Sequence, residues 1–356
     1  MLEVLIPGKV YVFKAPTNSG VVLGPALPTS EEVERPAMLI DSGLDDSQAR
    51  KLYRVVEEEL GGKVKAVFVT HAHADHFGGL FWLHKKGIQI MAPPLERAVI
   101  ENPILKPFSL YGGAYPPTFM RSKFLYANPA IVDLVLDPGV HKYIGIEFEV
   151  MPLHGHSLGM VGVFIRAETT DSYPNGNEGK GNTQVVKRNE SQTGNSDKEE
   201  KSEIDAVFIG DALFTQEVLE KHNHLPFNVH LEAVFNTLER LDAMADECHV
   251  KYFVPGHGNV LPGNDAFKKA LQKYRTVLEE NLDKVIEIIG SDPEAPCKKE
   301  GELVHEMMRF READQLADKS LFMLIHSAVR ANLCYLEDQG YIESSVVQGE
   351  LCYHRL

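Results

Sequence analysis

The residues best suited to chemistry stand close together at the end of an apolar run. The segment KAVFVTHAHADHFGGL places His71, His73, Asp75 and His76 directly after a stretch that is typical of a strand. On extended backbone, side chains two positions apart point to the same side, so His71 and His73 can direct ring nitrogens at one cation. Asp75 and His76, at the turn into the next helix, can reach a second. Imidazole and carboxylate ligands suit Zn²⁺, Fe or Mn, and the segment therefore predicts a metal site.

Three later segments offer more ligands in the same setting, after an apolar run and beside glycine. LHGHSLGM contains His154 and His156, FIGDALF contains Asp211, and FVPGHGNV contains His257. Loops at strand ends are where a rigid scaffold usually carries its functional residues. These side chains are therefore candidates for the same site.

In this order, THAHADH, GHS, GDALF and PGHG resemble the metallo-β-lactamase superfamily, whose signature is HxHxDH followed by separated His, Asp and His. The resemblance covers about residues 1–264, apart from an insertion. It implies an α/β fold, a four-layer αββα sandwich, with metals held by loops at one edge of the two sheets.

The resemblance also implies a role for each candidate. The ligands of the first metal would be His71, His73 and His156. Those of the second would be Asp75, His76 and His257, with Asp211 bridging the two. The cofactors would be two divalent ions, with zinc preferred and iron or manganese as alternatives.

Two further residues are interpreted through the resemblance. Asp41, in AMLIDSG, matches an early strand-end aspartate and would orient the histidine loop by hydrogen bonding. His154 stands where many members have proline, which leaves two histidines near one ligand position. His156 is preferred because it precedes the serine of the GHS motif.

The expected chemistry is hydrolysis by a metal-bound hydroxide. Two cations about 3.5–4 Å apart can share one water and lower its pKa from about 16 toward neutrality. That hydroxide would attack a carbonyl or phosphoryl centre, and Asp75 would act catalytically by orienting it. The chain contains no GxxxxGK[ST] phosphate loop.

Short strands and helices must position these residues. Strands are predicted in VYVFKA, VVLG, AMLID, KAVFVT, IQIMAP, IEFEVMPL, MVGVFIRA, DAVFIGDALF and KYFVPGHG. Helices are predicted in DDSQARKLYRVVEEELGG, FGGLFWLHKKG and NVHLEAVFNTLERLDAMADEC, where apolar residues recur at helical spacing. Strands alternating with helices indicate a layered α/β domain.

Two stretches break this pattern. Residues 102–129 are rich in proline and aromatic residues without a clean period, so we expect a long loop whose Tyr111, Tyr115 and Phe119 either cover the metals or form a dimer contact. Residues 168–203 contain few apolar side chains, and we expect a disordered insertion.

The second domain is predicted at residues 265–356. Two or three helices followed by a hairpin around Gln348–Glu350 outline a winged-helix-like module. Residues 303–356 contain five Lys and Arg against eight Asp and Glu, and a module without clustered cations lacks the main source of affinity for nucleic acid. A packing or dimerisation role, in a homodimer for example, is preferred.

Composition and net charge restrict the class of protein and the cellular compartment that we expect. The 356 residues are 44% apolar and 24% charged, as in a globular protein, and the net charge of −15 counts against a general polyanion binder. Four scattered cysteines without a CxxC pair suit a reducing compartment, and we expect a cytoplasmic protein. No window approaches the roughly 20 apolar residues of a membrane span, and the N-terminus is interpreted as a first strand and not as a signal peptide.

Three functions remain open. The preferred one is hydrolysis of a small ester, thioester or lactone, as in the glyoxalase II-like branch of the superfamily. The second is a phosphodiesterase or endoribonuclease that holds nucleic acid with the C-terminal module. The third, a di-iron redox protein, ranks last because no flavin-domain signature is found. His222, His224 and His230 are either near the substrate mouth or ordinary loop and helix-start residues.

Overall fold

The computed structural model describes residues 1–28, 33–166, 202–292, 296–315 and 317–356, together with the backbone of residues 184–185. The insertion predicted at 168–203 therefore lies almost entirely outside the described residues.

The first large sheet has seven strands in the order β1-β2-β3-β6-β7-β8-β9. Its strands are β1 (Leu2–Ile6), β2 (Val10–Phe13), β3 (Ser19–Leu23), β6 (Pro36–Ile40), β7 (Lys63–Phe68), β8 (Gln89–Ala92) and β9 (Leu134–Val135). A separate two-stranded ribbon joins β4 (Leu27–Pro28) and β5 (Val33–Glu34). Strands β6 to β9 are parallel, so the carboxyl ends of β6, β7 and β8 meet at one edge.

The second large sheet has the order β13-β10-β11-β12-β14-β15-β16. Its strands are β10 (Gly139–Tyr143), β11 (Ile146–Pro152), β12 (Val161–Arg166), β13 (Gln184–Val185), β14 (Glu203–Gly210), β15 (His249–Pro255) and β16 (Leu261–Pro262). Because β12 is antiparallel to both β11 and β14, and β14 is parallel to β15, the carboxyl ends of β11, β14 and β15 also share an edge.

The two sheets pack face to face through a core of alternating apolar side chains. Met38 and Phe68 of the first sheet belong to the same buried cluster as Phe148, Val163 and Phe208 of the second. This alternation is what a strand buried on its inner face requires.

Helices cover the outer faces and complete four layers. On the first sheet lie α1 (Asp46–Arg54), which continues as a π-helical turn, and α3 (Leu80–Lys85); on the second lie α7 (Leu231–Glu247) and the first half of α8 (Gly263–Ile289). Two short helices, α2 (Ala74–Phe77) and α6 (Gln216–Lys221), lie in the loops at the strand ends. The predicted αββα arrangement is confirmed.

The prediction of a long irregular loop at 102–129 was wrong in part. The region follows α4 (Pro94–Glu101) and contains α5 (Leu105–Leu110) and a 3₁₀ turn at Thr118–Arg121. Prolines at the helix starts and within α5 hide the helical period, although proline is tolerated in a first turn. Leu110, Met120 and Leu125 form a small core with Met323 and Leu324, so the segment packs onto the C-terminal part of the chain.

That C-terminal part consists of β17 (Lys298–Lys299), α9 (Glu300–Phe310), α10 (Lys319–Asp338), β18 (Ile342–Val347) and β19 (Glu350–Arg355). The predicted hairpin is present: β18 pairs with β19 across a turn in which Gln348 and Gly349 have φ values of 52° and 83°. The second half of α8 supplies Leu282, Val285 and Ile289 to the core of this part. Helix α8 thus packs against both units, and the boundary at 264/265 stays a prediction.

Among the described helices, none is long and apolar enough to cross a lipid bilayer.

Gly78 fixes the turn between α2 and α3 and thereby the loop that carries the histidines. Its φ of −59° is ordinary, but a methyl group there would overlap the backbone carbonyl oxygens of Leu44 and Ala74. We expect Gly78→Ala to lower the free energy of unfolding by about 2 kcal/mol, because overpacking against fixed backbone is costly. The measurement is urea unfolding of the purified variant.

The matched control is Gly301→Ala in α9, where a methyl group meets nothing within 4 Å. It should leave stability unchanged or raise it by up to about 1 kcal/mol, since alanine is the better helix former. Equal midpoints for the two variants would contradict the packing argument.

Candidate metal centre

Strand ends bring the predicted residues of both sheets to one place. The loop after β7 carries His71 and His73, the loop after β11 carries His156, and Asp211 follows β14. One ligand atom from each of these four side chains lies within 4.8 Å of the others. Because these loops leave the same edge of two packed sheets, residues distant in sequence meet there.

A second group lies beside the first. Asp75, His76 and His257 also offer ligand atoms within 4.8 Å of one another. Nε2 of His257 is 3.1 Å from Oδ2 of Asp75, and Nε2 of His76 is 3.9 Å from the same oxygen. His257 arrives on the loop after β15, while Asp75 and His76 stand in the first turn of α2.

Asp211 lies between the two groups. Its Oδ2 is 3.4 Å from Nε2 of His156 and 3.4 Å from Nε2 of His257, while its Oδ1 is 3.4 Å from Nε2 of His76. One carboxylate therefore faces histidines of both groups, which is the placement that a bridging ligand requires.

Gly256 makes this approach feasible. A Cβ at that position would overlap Oδ1 of Asp211 and lie 2.6 Å from Cε1 of His76. Only glycine lets the chain before His257 pass so close to the two side chains.

Hydrogen bonds at Nδ1 turn the Nε2 atoms of three rings toward Asp211. Nε2 of His156 also lies 2.7 Å from Nδ1 of His73. Nδ1 of His76 donates to Asp41, Nδ1 of His156 to the carbonyl of Phe227, and Nδ1 of His257 to the carbonyl of Pro16, at 2.7–2.8 Å. A proton held on Nδ1 places the lone pair on Nε2 and fixes the ring orientation, as partners of metal-binding histidines do.

Several atoms of the cluster are buried without a partner. Among the described residues, neither Nε2 of His76 nor Oδ1 of Asp211 has a hydrogen-bond partner, although both are shielded from solvent. The two atoms lie 3.4 Å apart without the alignment of a hydrogen bond. Buried polar atoms left unpaired are costly, and divalent cations would satisfy them. The donor set, imidazole and carboxylate, therefore fits metal ions.

Asp41 holds the histidine loop, as its predicted orienting role requires. Its carboxylate accepts hydrogen bonds from the backbone N–H of Thr70, the hydroxyl of Thr70 and Nδ1 of His76, each at 2.8 Å. Nδ1 of His71 in turn lies 3.1 Å from the Thr70 hydroxyl oxygen. Asp41 adopts a φ of 61°, a strained value for a non-glycine residue, and such strain is typical of functional sites.

Glu96 is a supporting residue that sequence reasoning missed. Its buried carboxylate accepts from the N–H of Ala72, the hydroxyl of Ser157 and the N–H of Gly159, at 2.7–2.8 Å. It therefore ties the His71–His73 loop to the loop that carries His156. Nothing in the segment PLERAVIE distinguishes this glutamate from a surface residue of an amphipathic helix.

Thr17 is a second residue that was missed. Its hydroxyl donates to Oδ2 of Asp75 at 3.1 Å, from a position that is almost fully buried. It lies in a turn between β2 and β3, far from any motif, and the sequence gives no signal for it.

The histidines that the motifs left uncertain lie outside both groups. His154 is exposed and contributes only its carbonyl, which accepts from Thr237, so His156 is the residue that joins the cluster. His222 lines an adjoining cavity, whereas the carbonyl of His224 accepts from Asn281. His230 is exposed beside Glu232.

Burial and the neighbouring carboxylates shift the pKa values of the site histidines in opposite directions. Burial lowers the pKa of His71 and His73 well below the usual value and that of His156 to about 4. Burial acts in the same direction on His76, but the carboxylates of Asp211, Asp41 and Asp75 outweigh it and raise its pKa to about 10. In the same way Asp211 and Asp75 raise the pKa of His257.

Lys106, on α5, is a further charged residue at the site. It lines a cavity with His73, Asp75, His156 and Asp211. Burial lowers the pKa of its ammonium group to about 8, although Glu96 and Asp75 act in the opposite direction, so the group stays mostly protonated at pH 7.

Comparison with known sequences points to one family. The sequence profile described as the metallo-β-lactamase superfamily matches residues 32–169. Metallo-β-lactamase type 2 of Bacillus cereus is 36% identical over 76 residues, which are 20% of this chain and 30% of that protein. Metallo-β-lactamase type 2 of Bacillus sp. strain 170 is 34% identical over 76 residues, which are again 20% of this chain and 30% of that protein. The chain thus matches about three-tenths of the length of these curated relatives.

Solved structures share the fold over nearly the whole chain. A metallo-β-lactamase family protein from Thermus thermophilus superposes with a TM-score of 0.64 at 16% identity, covering 99% of this chain and 100% of its own. A β-lactamase domain protein from Burkholderia ambifaria gives 0.63 at 18% identity, with 99% and 94% covered. Together with the sequence matches, this fold supports the prediction of a metallo-β-lactamase superfamily hydrolase.

His73 tests the first ligand group. We expect His73→Ala to retain less than about half of the metal bound by the unchanged protein, because that group loses one of its four side chains. Metal content per chain is measured by elemental analysis after dialysis, and folding by circular dichroism.

His154→Ala is the control, since this exposed histidine stands two positions from His156 and outside both groups. It should bind as much metal as the unchanged protein. Equal metal content in His73→Ala and His154→Ala would remove His73 from the site.

The raised pKa values predict proton release on metal binding. In metal-free protein at pH 7, His76, with its pKa near 10, and His257 are protonated, and both must become neutral to bind a cation. We expect about two protons to leave the histidines of each chain at pH 7, and fewer as the pH rises toward 10. Calorimetric titration with Zn²⁺ in buffers of different ionisation enthalpy measures this release, and a buffer-independent heat would contradict it.

Proposed function

We propose that this metallo-β-lactamase superfamily protein is a hydrolase of small esters, thioesters or lactones that uses two divalent metal ions. The observation that carries the proposal is the pair of ligand groups joined by Asp211, at the base of a cavity with largely apolar walls. A ligand pair of this kind supports hydrolysis without a serine or cysteine nucleophile.

Zinc fits the donor set best, with iron or manganese as alternatives. His71, His73 and His156 would hold one ion, Asp75, His76 and His257 the other, and Asp211 would contact both. When bound, two such ions lower the pKa of a shared water and polarise the carbonyl oxygen of the substrate.

The chain's own residues orient the reactants. Asp75 accepts a hydrogen bond from the hydroxyl of Thr17 and lines both cavities at the site, where its carboxylate can orient a water and accept its proton. In the overall reaction, the water oxygen joins the carbonyl carbon and the C–O or C–S bond breaks. The alcohol or thiol leaves with one proton.

The size of the cavity supports a small substrate. Its volume is about 230 Å³, and Asp75, Asp211 and His257 lie at its base. The walls include Leu321, Leu324 and Ile325 of α10, so the C-terminal part of the chain narrows the opening over the site.

Use of the C-terminal part to hold nucleic acid is the weaker proposal. Helix–helix–hairpin modules of the winged-helix kind read bases with the first turns of the second helix. Here those turns, in α10, face the cavity and the segment around Phe119, to whose carbonyl Ser320 donates at 2.8 Å. With its excess of acidic residues as well, the module is better suited to packing or dimerisation.

The proposal is tested with metal-loaded protein on matched panels of esters, thioesters, lactones, a β-lactam, a phosphodiester and RNA. We expect turnover of at least one ester, thioester or lactone. We expect Asp75→Asn to lower kcat by about 10²–10⁴-fold, since a group that positions and deprotonates the nucleophile contributes this much. Steady-state rates are measured together with metal content.

Asp242→Asn, on the outer face of α7, is the matched control and should keep full activity. RNA or phosphodiester cleavage that is lost in His73→Ala would replace the proposed function with the nuclease alternative. Turnover of the β-lactam alone would replace it with a lactamase.

A further inference from the structure

Lys106 places a positive charge beside the metal centre. Among the described residues, no acidic side chain forms an ion pair with this charge. Its Nζ lies 4.4 Å from the centre of the Phe227 ring, and that ring lies 5.7 Å from the ring of His73 and 5.8 Å from that of His156. Within the described part of the chain, no carboxylate lies within ion-pair distance of Nζ.

Two other lysines of the first domain differ from it in this respect. Lys65 pairs with Glu34 at 2.7 Å, and Lys123, in the same segment as Lys106, pairs with Asp45 at 3.4 Å. Lys106 is instead half-buried in the wall of a cavity. An ordered cation that is partly desolvated and lacks an anionic partner is suited to bind an anion brought by a ligand.

Two cavities flank the metal centre. The first, named here the α10 cavity, has a volume of about 230 Å³ and apolar walls that include Phe214, Val218 and Leu321. The second, the Lys106 cavity, measures about 130 Å³ and is lined by Lys106, Phe124 and Leu125.

Both cavities reach the same point of the site. Both cavities are lined by Asp75, Asp211, Phe227 and Leu324, so they adjoin each other at the two ligand groups. A substrate whose reacting carbonyl lies at the metals can therefore extend one group into each cavity. One end of the substrate would be apolar and the other would meet a positive charge.

We infer that the substrate is an ester or thioester that joins an apolar acyl group, held in the α10 cavity, to an alcohol or thiol bearing an anionic group that pairs with Lys106. The inference rests on the proposed hydrolysis and specifies its substrate class. A carboxylate and a phosphate present the same chemistry to the lysine, so the anion is defined by its charge. Lys106 thereby becomes a residue that determines specificity.

The test compares thioesters that share one acyl chain and differ only in the thiol: mercaptoacetate, its neutral amide, and 2-mercaptoethyl phosphate. The metal-loaded full chain should prefer one of the two anionic thioesters over the amide by about 10–100-fold in kcat/KM, which is the usual effect of a charged hydrogen bond. Whichever anion gains more identifies the group. Equal kcat/KM for all three would overturn the inference.

Lys106→Met should raise KM for the preferred anionic thioester about 10–100-fold, with little change in kcat and none in KM for the amide. Lys106→Arg should keep most of the preference, because it keeps the charge. Lys123→Met is the matched control and should behave as the unchanged protein. An equal loss for anionic and neutral thioesters in Lys106→Met would show a structural effect and overturn the inference.

The placement of the acyl group beside helix α10 is tested by varying the length of the acyl chain of the substrate. Lengthening the acyl group should lower KM by about fourfold per methylene until the α10 cavity is filled. Leu321→Asn should abolish this dependence, whereas Phe322→Asn, an exposed neighbour that does not line the cavity, should keep it. If Leu321→Asn does not fold, Leu321→Ala should weaken the dependence. A chain-length dependence that persists in the folded Leu321 variant would overturn the placement of the acyl group.

Binding measured without turnover distinguishes a failure of the proposed hydrolysis from a failure of the inference about Lys106. Calorimetry measures the affinity of S-alkyl mercaptoacetate, which cannot be hydrolysed, and of its amide. Lys106-dependent binding of the acid without turnover of any ester would contradict the proposed hydrolysis and support the binding site. Turnover without any dependence on Lys106 would support the hydrolysis and overturn the inference.

Discussion

The structure depends on the burial of the histidines and aspartates of the two ligand groups next to one another, away from water. Burial brings histidine nitrogens and aspartate oxygens into one small space, in which, among the described residues, Nε2 of His73, Nε2 of His76 and Oδ1 of Asp211 have no hydrogen-bond partner. A polar atom without a partner is unfavourable in a protein interior, and the cost is reduced only when something supplies the missing interaction. Divalent cations would supply it for two groups at once, since Asp211 faces both.

Hydrogen bonds from the surrounding segments fix the positions of the ligand side chains. Asp41 fixes the histidine loop through three hydrogen bonds, and Glu96 ties that loop to the one that carries His156. Carbonyls of Pro16 and Phe227 fix two more rings. Because these supporting groups come from different segments of the chain, the site depends on the packing of the two sheets and not on a single motif.

The C-terminal part contributes to the same region. Met323 and Leu324 of α10 pack against Leu110, Met120 and Leu125, and the adjoining leucines and isoleucine form a cavity wall. A helix that sequence alone would place in a separate module therefore shapes the opening over the metal centre. Selectivity is expected to reside there and at Lys106, since the ligand groups are common to hydrolases with different substrates.

The sequence by itself determined the chemistry of the ligands. HxHxDH after a strand, with GHS, GDALF and PGHG following later strands, identified all seven members of the two groups, because strand periodicity and strand ends are local properties that a sequence displays. It also predicted most strands and helices, though prolines obscured α4 and α5. Only the tertiary structure decided the role of Glu96, Thr17 and Lys106. Each of these depends on which loops meet in space, and nothing in a residue's own neighbourhood along the chain records that meeting.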